Sequence, residues 1–509
     1  MELVASQPLD LLVQGALVFD GESAWKQANI GVRGDRIVSL SSAVPHARQV
    51  IQADGLWAVP GFVDMHNHSD LTLLRLRASA KEWNLSEDAR LHHNALRQGV
   101  TTVVTGNCGD GFARLADWKA LFARAGFATN VCHLAPYGSL RRELMRDQPD
   151  EGPLTARCID MLKDQLNEQL GQGAVGFSTA LDGLPQCYAT TRELIEYCRV
   201  VAHWRGTYVT HLRHESAPAI LKAIGEAIEI AEQTGVRVHL GHLRLYRGGD
   251  ASIPKRMLAL LAEARSRGVD ITASQNPYTT IGGTFGPHFL THLLSNLQPD
   301  QDLARLSAPS ARESALAFVI HAIGAEQMTV CHHPQGPTMQ GRTLAELALT
   351  TRRAALEILM ELYELGVAYL VMNVFSEEAM EILMRPDYVF TSSNGELALA
   401  DGACTHPRSF GAFPRKLRRY ALDRHTISNE QALASMSGRP AEFLGLTGRG
   451  RIEVGFFADF LVLNPNLVGD ELDYVQPKRY PSGFEQVIVN GRPALGAHAE
   501  VRGRLVVRQ

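Results

Sequence analysis

Eight short runs rich in β-branched residues recur along the chain, and helical patterns separate most of them. The runs span residues 58–66, 101–106, 128–134, 174–179, 207–212, 236–242, 269–274 and 388–393. Alternation of strand and helix predicts parallel strands joined by crossover helices, and eight repeats are typical of a (β/α)8 barrel. A doubly wound open sheet is the alternative, but no G-x-G-x-x-G or P-loop motif follows an early strand. We therefore predict an α/β protein built on a TIM-like (β/α)8 barrel.

The two ends of the chain form further strand patterns, broken by glycine and aspartate turn signals. We predict that residues 1–59 and 446–509 pair into one small β-sandwich, because chain ends commonly lie close together. The gap between the seventh and eighth runs is too long for a loop. It predicts an inserted small domain or lid at 283–340, which leaves 60–282 and 341–445 for the barrel.

Composition excludes several classes of protein. The chain of 509 residues has 50 Lys+Arg against 54 Asp+Glu, so it lacks the basic surface that nucleic-acid binding requires. No apolar run approaches the roughly 18 residues that span a bilayer. The first basic residue is Lys26, which argues against a signal peptide, and the 7 cysteines form no C-x-x-C pair. We expect a cytoplasmic protein with a small-molecule substrate and neither nucleic-acid nor membrane partners, and the oligomeric state stays open.

Five metal-capable side chains stand at the predicted carboxyl ends of barrel strands. His66 and His68 are two residues apart on the first strand, so their side chains point to the same side. Cys108 follows the second strand, His211 ends the fifth and His242 ends the sixth. Active sites of such barrels form at this end of the strands. A thiolate beside imidazoles favours zinc over magnesium or calcium, which prefer oxygen ligands.

These motifs resemble those of a known family. PGFVDMHNHSD, GVTTVVTGNCG, THLRHES, GHLRLY, HPRSFGAFPR and GRIEVGFFADFLVLNP resemble the amidohydrolase superfamily and, within it, the D-aminoacylases, or N-acyl-D-amino-acid deacylases. The resemblance runs from about residue 9 to the C-terminus, and GNCG is its most specific motif. It implies that Cys108, His211 and His242 hold a tight zinc, with His66 and His68 at a second, weaker site.

The resemblance also implies a substrate with an anionic group. Arg408, in HPR, would grip the carboxylate of an N-acyl-amino acid, since the guanidinium fork matches a carboxylate. Tyr278, in NPYTT, would assist, and Arg244 stands where relatives have a lysine. The implied function is zinc-dependent cleavage of the amide bond of an N-acyl-amino acid, expected to be D-configured, or of a related carboxylate-bearing amide.

One position departs from the family pattern. The catalytic aspartate that follows the eighth strand in relatives is Asn394 here, and an amide cannot take up the proton of the attacking water. The change could be an engineered substitution, or a neighbour could replace the aspartate, with Asp70, Glu396, Asp401 and His406 as candidates. Alternatively, the protein is a non-hydrolytic homologue, either a ligand-binding pseudoenzyme or a lyase- or transferase-like enzyme. The sequence leaves these explanations open.

Overall fold

A computed structural model describes residues 8–79, 85–147, 150–246, 250, 252–297, 306, 308–399, 404–471, 473–496 and 501–507. In chain order its strands are β1 Leu9–Phe19, β2 Trp25–Arg33, β3 Arg36–Ser41, β4 Ala47–Gln52, β5 Trp57–Pro60, β6 Phe62–Asp64, β7 Val100–Thr105, β8 Asn130–Pro136, β9 Gly176–Ala180, β10 Thr207–His211, β11 Arg237–Leu240, β12 Ile271–Gln275, β13 Thr280–Thr284, β14 Met328–His332, β15 Tyr369–Asn373, β16 Val389–Thr391, β17 Phe460–Leu463, β18 Phe484–Val489 and β19 Arg492–Pro493.

The α-helices are α1 Ser69–Ser79, α2 Glu87–Leu91, α3 His93–Leu96, α4 Leu115–Ala125, α5 Tyr137–Leu144, α6 Ala156–Gly171, α7 Thr191–His203, α8 Ala219–Thr234, α9 Ile253–Ser266, α10 Pro287–Leu297, α11 Pro309–Ile323, α12 Leu344–Thr351, α13 Ala355–Leu365, α14 Glu377–Met384, α15 Arg408–Arg415, α16 Asn429–Met436 and α17 Gly438–Leu444. A π-helical stretch, Lys416–Asp423, continues α15. Within the described residues, no helix combines the length and the apolar character that crossing a membrane requires.

The central sheet has eight strands in the order β16-β12-β11-β10-β9-β8-β7-β6, and its strand pairs are parallel. Each predicted run overlaps one of these strands, so the predicted TIM-like barrel is confirmed. The run 58–66 also contains β5, which pairs with β17 in another sheet. Gly61 separates β5 from β6. A Cβ at this position would lie 2.2 Å from Thr101 Oγ1, so only glycine fits beside the Thr101 side chain.

The barrel closes just beyond the ends of its first and last strands. The backbone N–H of Asn394 donates to the carbonyl of His66 at 2.8 Å, and the N–H of His68 donates to that of Gly395 at 2.7 Å. The Asp64 carboxylate accepts further hydrogen bonds from the backbone and side chain of the loop after β16. These contacts bring the first and eighth strand ends together at the mouth, where active sites of this fold form.

Both ends of the chain meet in a second sheet of eight strands. Its order is β19-β18-β17-β5-β1-β2-β3, and β4 pairs with the first half of β1. The register of β1 shifts between Val13 and Ala16, which bends the long strand so that β4 and β5 share its other edge. Apolar side chains from both chain ends form one cluster on this sheet. The predicted limits of this domain, 1–59 and 446–509, stay a prediction.

A smaller three-stranded sheet stands between the seventh and eighth barrel strands. Its order is β13-β15-β14, all antiparallel, and it packs with α10 to α13. Its apolar cluster runs from Tyr246 to Phe375 and so continues past residue 340, the predicted end of the lid. The limits 283–340 stay a prediction, and this packing favours an insertion that spans 280–373.

Candidate active site

The five predicted metal ligands lie together at the mouth of the barrel. His66 Nε2 is 3.2 Å from Cys108 Sγ, while His211 Nδ1 and His242 Nε2 are each 3.9 Å from the same sulfur. His68 joins His66 and Cys108 in a group whose ligand atoms lie within 4.8 Å of one another. Two overlapping sets of three donors therefore share the thiol, and their roles as metal ligands stay a prediction.

The Cys108 thiol is presented by a tight turn after β7. Cys108 has φ 54°, and the glycines on either side, Gly106 and Gly109, have φ 76° and 66°. The Asp70 carboxylate accepts the N–H of Gly106 at 2.8 Å, and the Gln186 amide donates to the carbonyl of Cys108 at 3.0 Å. Three left-handed residues in a run of four turn the chain sharply enough to aim the thiol into the mouth.

Burial keeps the imidazoles neutral. It lowers the pKa of His68 to about 4 and that of His211 to about 3. Burial, together with the neighbouring imidazoles, holds the pKa of His66 well below the ordinary range, and burial together with the charge of Arg244 does the same for His242. Burial raises the pKa of the Cys108 thiol well above its usual range. Neutral imidazoles have a lone pair for a cation, and a cation at the site would offset the cost of the buried thiolate.

The donor set and its spacing fit zinc. Bond lengths of 2.3 Å to sulfur and 2.0–2.1 Å to nitrogen place two tetrahedral ligand atoms about 3.6 Å apart. The observed sulfur–nitrogen separations of 3.2 and 3.9 Å bracket that value. One thiol and several imidazoles also suit zinc better than an alkaline-earth ion.

Two buried carboxylates lie behind the metal-facing imidazoles. Asp182 Oδ2 is 3.3 Å from His211 Nε2, and Glu215 Oε1 is 3.1 Å from His242 Nδ1. The other oxygen of Glu215 accepts a hydrogen bond from Arg244 Nε at 2.8 Å. Neither carboxylate is among the residues predicted from sequence, although Asp182 follows β9 and Glu215 follows β10, positions where barrel enzymes carry functional groups. Arg244 thus supports Glu215, and its predicted contact with substrate stays a prediction.

Arg408 lies next to the metal ligands and has an unused donor. Its Nε donates to the carbonyl of Asn394 at 2.7 Å, while Nη1 is buried and has no hydrogen-bond partner among the described residues. Burial lowers the pKa of Arg408, the charge of Arg244 lowers it further, and Tyr369 acts in the opposite direction. The charges of Arg244 and Arg408 repel each other, so this corner of the site favours an anionic ligand. Tyr369, in β15, is a neighbour that the sequence did not indicate.

Tyr278 is buried on the far side of His406. Its hydroxyl donates to Asp470 Oδ2 at 3.3 Å, and the Arg415 guanidinium lies 4.9 Å from its ring centre. The ring meets the His406 ring edge-on at 5.2 Å. The structure thus places Tyr278 in the cluster around Arg408 with its hydroxyl engaged by Asp470, and the predicted role in carboxylate binding stays a prediction.

Asn394 connects the metal ligands to Arg408. It has φ 48°, its N–H donates to His66, and its carbonyl accepts from Arg408. Its side chain lies close enough to His68 to raise the pKa of that imidazole, although burial lowers this pKa more strongly. The position that holds an aspartate in the family pattern therefore lies beside the predicted metal ligands, and its catalytic role stays a prediction.

Two of the candidate substitutes for that aspartate are engaged elsewhere. Asp70 is fully buried, and burial raises its pKa to about 7. Its two oxygens accept the backbone N–H groups of Gly106 and Leu71. Glu396 forms a partly exposed ion pair with Arg75 at 2.9 Å. Asp70 therefore supports the cysteine turn, and Glu396 faces away toward a surface arginine.

His406 is also committed. Its Nδ1 accepts the backbone N–H of Arg408 at 3.0 Å, so the ring proton stands on Nε2 and faces Thr280 Oγ1 at 2.8 Å. Both nitrogens are used, which leaves no free lone pair for a base. Asp401, the remaining candidate, lies outside the described residues.

Comparisons with known proteins identify the family of this chain. The family model described as Amidohydrolase family matches residues 49–495. The chain is 30% identical to a D-aminoacylase of Alcaligenes xylosoxydans xylosoxydans, with 99% of this chain and 98% of that protein covered. It is 28% identical to an N-acyl-D-glutamate deacylase of the same organism, with 95% and 93% covered.

Solved structures give the same picture. The crystal structure of N-acyl-D-glutamate deacylase from Bordetella bronchiseptica, complexed with zinc and a phosphonate mimic of the tetrahedral intermediate, matches with a TM-score of 0.82 at 25% identity and covers 99% of this chain and 100% of that chain. A D-aminoacylase crystal structure matches with a TM-score of 0.79 at 27% identity, covering 98% and 100%.

The chain belongs to the amidohydrolase family and, within it, to the D-aminoacylase branch. It is a hydrolase of amide-type, non-peptide C–N bonds, and the family to which it belongs is metal-dependent.

Proposed function

We propose that the protein hydrolyses the amide bond of a D-configured N-acyl-amino acid with zinc as its resident metal. The observation that carries this proposal is the closeness of Arg408 to the predicted metal ligands. Asn394 joins them, because its carbonyl accepts a hydrogen bond from Arg408 Nε at 2.7 Å and its N–H donates to the His66 carbonyl at 2.8 Å. In an N-acyl-amino acid the carboxylate is separated from the amide nitrogen by one carbon atom. The Arg408 guanidinium, so close to the metal ligands, could therefore bind the carboxylate while the amide carbonyl lies at the metal site.

Cys108, His211 and His242 would hold the tight ion, and His66 and His68 would complete the weaker site. Zinc bound there would polarise the amide carbonyl and make water nucleophilic near neutral pH. Arg408 would bind the substrate carboxylate through its unpartnered Nη1, and the charge of Arg244 would add to the attraction. The D configuration rests on the activities named for the relatives.

Asn394 limits the rate in this proposal. Its amide can donate a hydrogen bond to an oxygen at the reaction centre, but it cannot accept and return a proton. General acid–base catalysis is worth about 10²–10⁴-fold, so we expect slow turnover with ordinary substrate binding. The alternative, a non-hydrolytic homologue, is favoured by the same residue and predicts no turnover at all.

The test combines metal analysis with a substrate panel. Zinc-reconstituted full-length protein is assayed for amine release from N-acetyl-D-amino acids, their L enantiomers and the matching carboxamides that lack the carboxylate. We expect at least about one equivalent of zinc per chain, slow hydrolysis of D substrates and poor hydrolysis of the carboxamides. Absence of bound metal, or carboxamides cleaved as fast as acids, would contradict the proposal. Absence of any cleavage, with tight substrate binding retained, would favour the non-hydrolytic alternative.

A further inference from the structure

Helix α10 is the first helix of the insertion, and one face of it reaches the carboxylates behind the metal ligands. His292 and Asn296 are four residues apart and so lie on the same face of the helix. His292 Nδ1 donates to Asp182 Oδ2 at 2.6 Å, and Asn296 Nδ2 approaches the same oxygen at 3.4 Å. Asn296 Oδ1 accepts the backbone N–H of Glu215 at 2.8 Å. One helix face therefore contacts both residues that back the metal site.

Those two carboxylates lie beside the metal-binding imidazoles, and Glu215 reaches both rings, because its Oε1 is also 3.5 Å from Nε2 of His211. Asp182 lies 3.3 Å from Nε2 of His211, and Glu215 lies 3.1 Å from Nδ1 of His242. The opposite nitrogen of each ring points to the Cys108 sulfur. Glu215 accepts the N–H of His242, whereas Asp182 stands within ion-pair distance of His211 Nε2, which makes no hydrogen bond among the described residues. A carboxylate in either place orients the ring and leaves the other nitrogen free to bind a cation.

Burial makes the contacts with α10 important for Asp182. Its exposure is 4%, and an ionised carboxylate at that depth needs hydrogen-bond donors to hold its position. His292 provides its shortest contact among the described residues, and His292 itself is less than one-fifth exposed. Loss of that donor would let the carboxylate rotate away from His211, and the imidazole would lose its orientation.

We propose that α10 is the outer support of the metal centre, and that His292 and Asn296 are positioning residues that set zinc affinity through Asp182 and Glu215. The insertion would then do more than cover the substrate, because its docking would complete the metal site. This inference rests on the proposed function only in taking zinc as the metal.

The test measures zinc affinity of the full-length protein, without substrate, by competition with a chromophoric chelator. His292→Ala should weaken zinc binding at the tight site by roughly 10- to 100-fold, as is typical when the partner of a ligand is removed. His292→Asn keeps an N–H donor near the same place and should restore most of the affinity. His288→Ala, an exposed position one turn earlier on α10, is the matched control and should bind zinc like the parent.

Two further variants test the route of the effect. If His292 acts through Asp182, His292→Ala should add little to the loss already caused by Asp182→Asn. Asn296→Ala gives an independent reading should His292→Ala fail to fold, which circular dichroism would show. Unchanged zinc affinity in both His292→Ala and Asn296→Ala, even with a raised KM, would overturn the inference and leave α10 only a covering role. Because no turnover is needed, an inactive protein would contradict the proposed function and leave this inference standing.

Discussion

Three residues of the active site have left-handed backbone conformations that L-residues rarely adopt. Cys108, His242 and Asn394 have φ values of 54°, 36° and 48°. Each such residue costs on the order of 1–3 kcal/mol and persists only where its surroundings enforce it. All three stand where a barrel strand has ended and the chain must turn to present a side chain or a backbone group to the mouth.

Arg408 allows a direct test of substrate binding at the scale of one side chain. Losing a charge-assisted contact costs on the order of 1.5–3 kcal/mol, so Arg408→Ala should raise KM for N-acyl-amino acids roughly tenfold or more. Arg75→Ala, which breaks only the partly exposed pair with Glu396, should change KM little. Steady-state kinetics on both variants decides this, and an unchanged KM in Arg408→Ala would remove the residue from the substrate site.

The buried Lys416 should make the stability of the fold depend on pH, independently of the metal site. Burial lowers its pKa from 10.5 to about 7, and Nζ donates to the hydroxyls of Thr391 and Ser435, each at 2.9 Å. Between those pKa values the unfolded chain binds a proton that the folded chain lacks. Stability should therefore rise with pH over this range, by up to about 1.4 kcal/mol per unit from this residue.

Lys416→Met removes that proton difference. The variant should melt at a higher temperature than the parent at pH 7, because it no longer has to release or bury that proton on folding. The difference in melting temperature should narrow as the pH rises toward 10. Lys222→Met on the exposed face of α8 is the control and should follow the parent profile. A constant difference between Lys416→Met and the parent across this range would show that Lys416 titrates as an ordinary lysine.

At the scale of elements, the turn between β7 and α4 determines where the thiol lies. A Cβ on Gly106 would stand 2.2 Å from the carbonyl oxygen of Leu134, a backbone atom that cannot move aside. Gly55 has the same φ of 76° but no atom within 4 Å of such a Cβ. Alanine substitutions at these two glycines therefore distinguish the cost of a left-handed backbone, which both share, from the cost of the steric clash, which only Gly106 has.

Gly106→Ala should both destabilise the protein and weaken zinc binding by roughly tenfold or more, because the turn and Cys108 must shift. Gly55→Ala should cost only the backbone strain, about 1–2 kcal/mol, and leave zinc binding unchanged. Thermal melting and chelator competition provide the two measurements. Equal zinc affinity in both variants would mean that the turn tolerates displacement without moving the thiol.

The strands of the barrel could be predicted from sequence, but the supports of its site could not. A strand buried on both faces reads as a continuous β-branched run, as VTTVVT does at β7, and Cys108 follows the end of that strand by three residues. His292 and Asn296 lie in a helix 110 or more residues from Asp182, with no motif to connect them. Asp470 likewise engages Tyr278 across 192 residues. Such pairings depend on how the insertion and the chain ends dock, which local patterns do not encode.

At the scale of the whole molecule, the sheet of the chain ends is fastened to the barrel by a buried polar network. Arg449 pairs with Asp459, and both are buried. Asp459 also accepts from Asn130 at the start of β8 and from the backbone N–H of Asn490 after β18. The network joins the two sheets at the amino end of the barrel strands, opposite the metal centre.

Removing one partner of this pair should be costly. Arg449→Ala would leave the Asp459 carboxylate buried without its cation, at a cost of about 3–5 kcal/mol. Arg451, two residues after Arg449, forms a partly exposed ion pair with Glu22. Arg451→Ala removes this pair and should cost less than about 1 kcal/mol. Denaturant unfolding monitored by circular dichroism compares them. A small loss in Arg449→Ala would show that the hydrogen bonds from Asn130 and Asn490 suffice.

Amide hydrolysis with proton transfer at position 394 is tested most directly by comparing two zinc-loaded proteins, the chain and its Asn394→Asp variant. Their hydrolysis rates are measured on the same panel of N-acyl-D-amino acids. If the site hydrolyses amides and position 394 is where a proton must be carried, Asn394→Asp should raise kcat by roughly 10²-fold or more, with KM little changed. If the chain with Asn394 is at least as fast as the variant, proton transfer does not pass through this position, and the assignment of the residue is wrong.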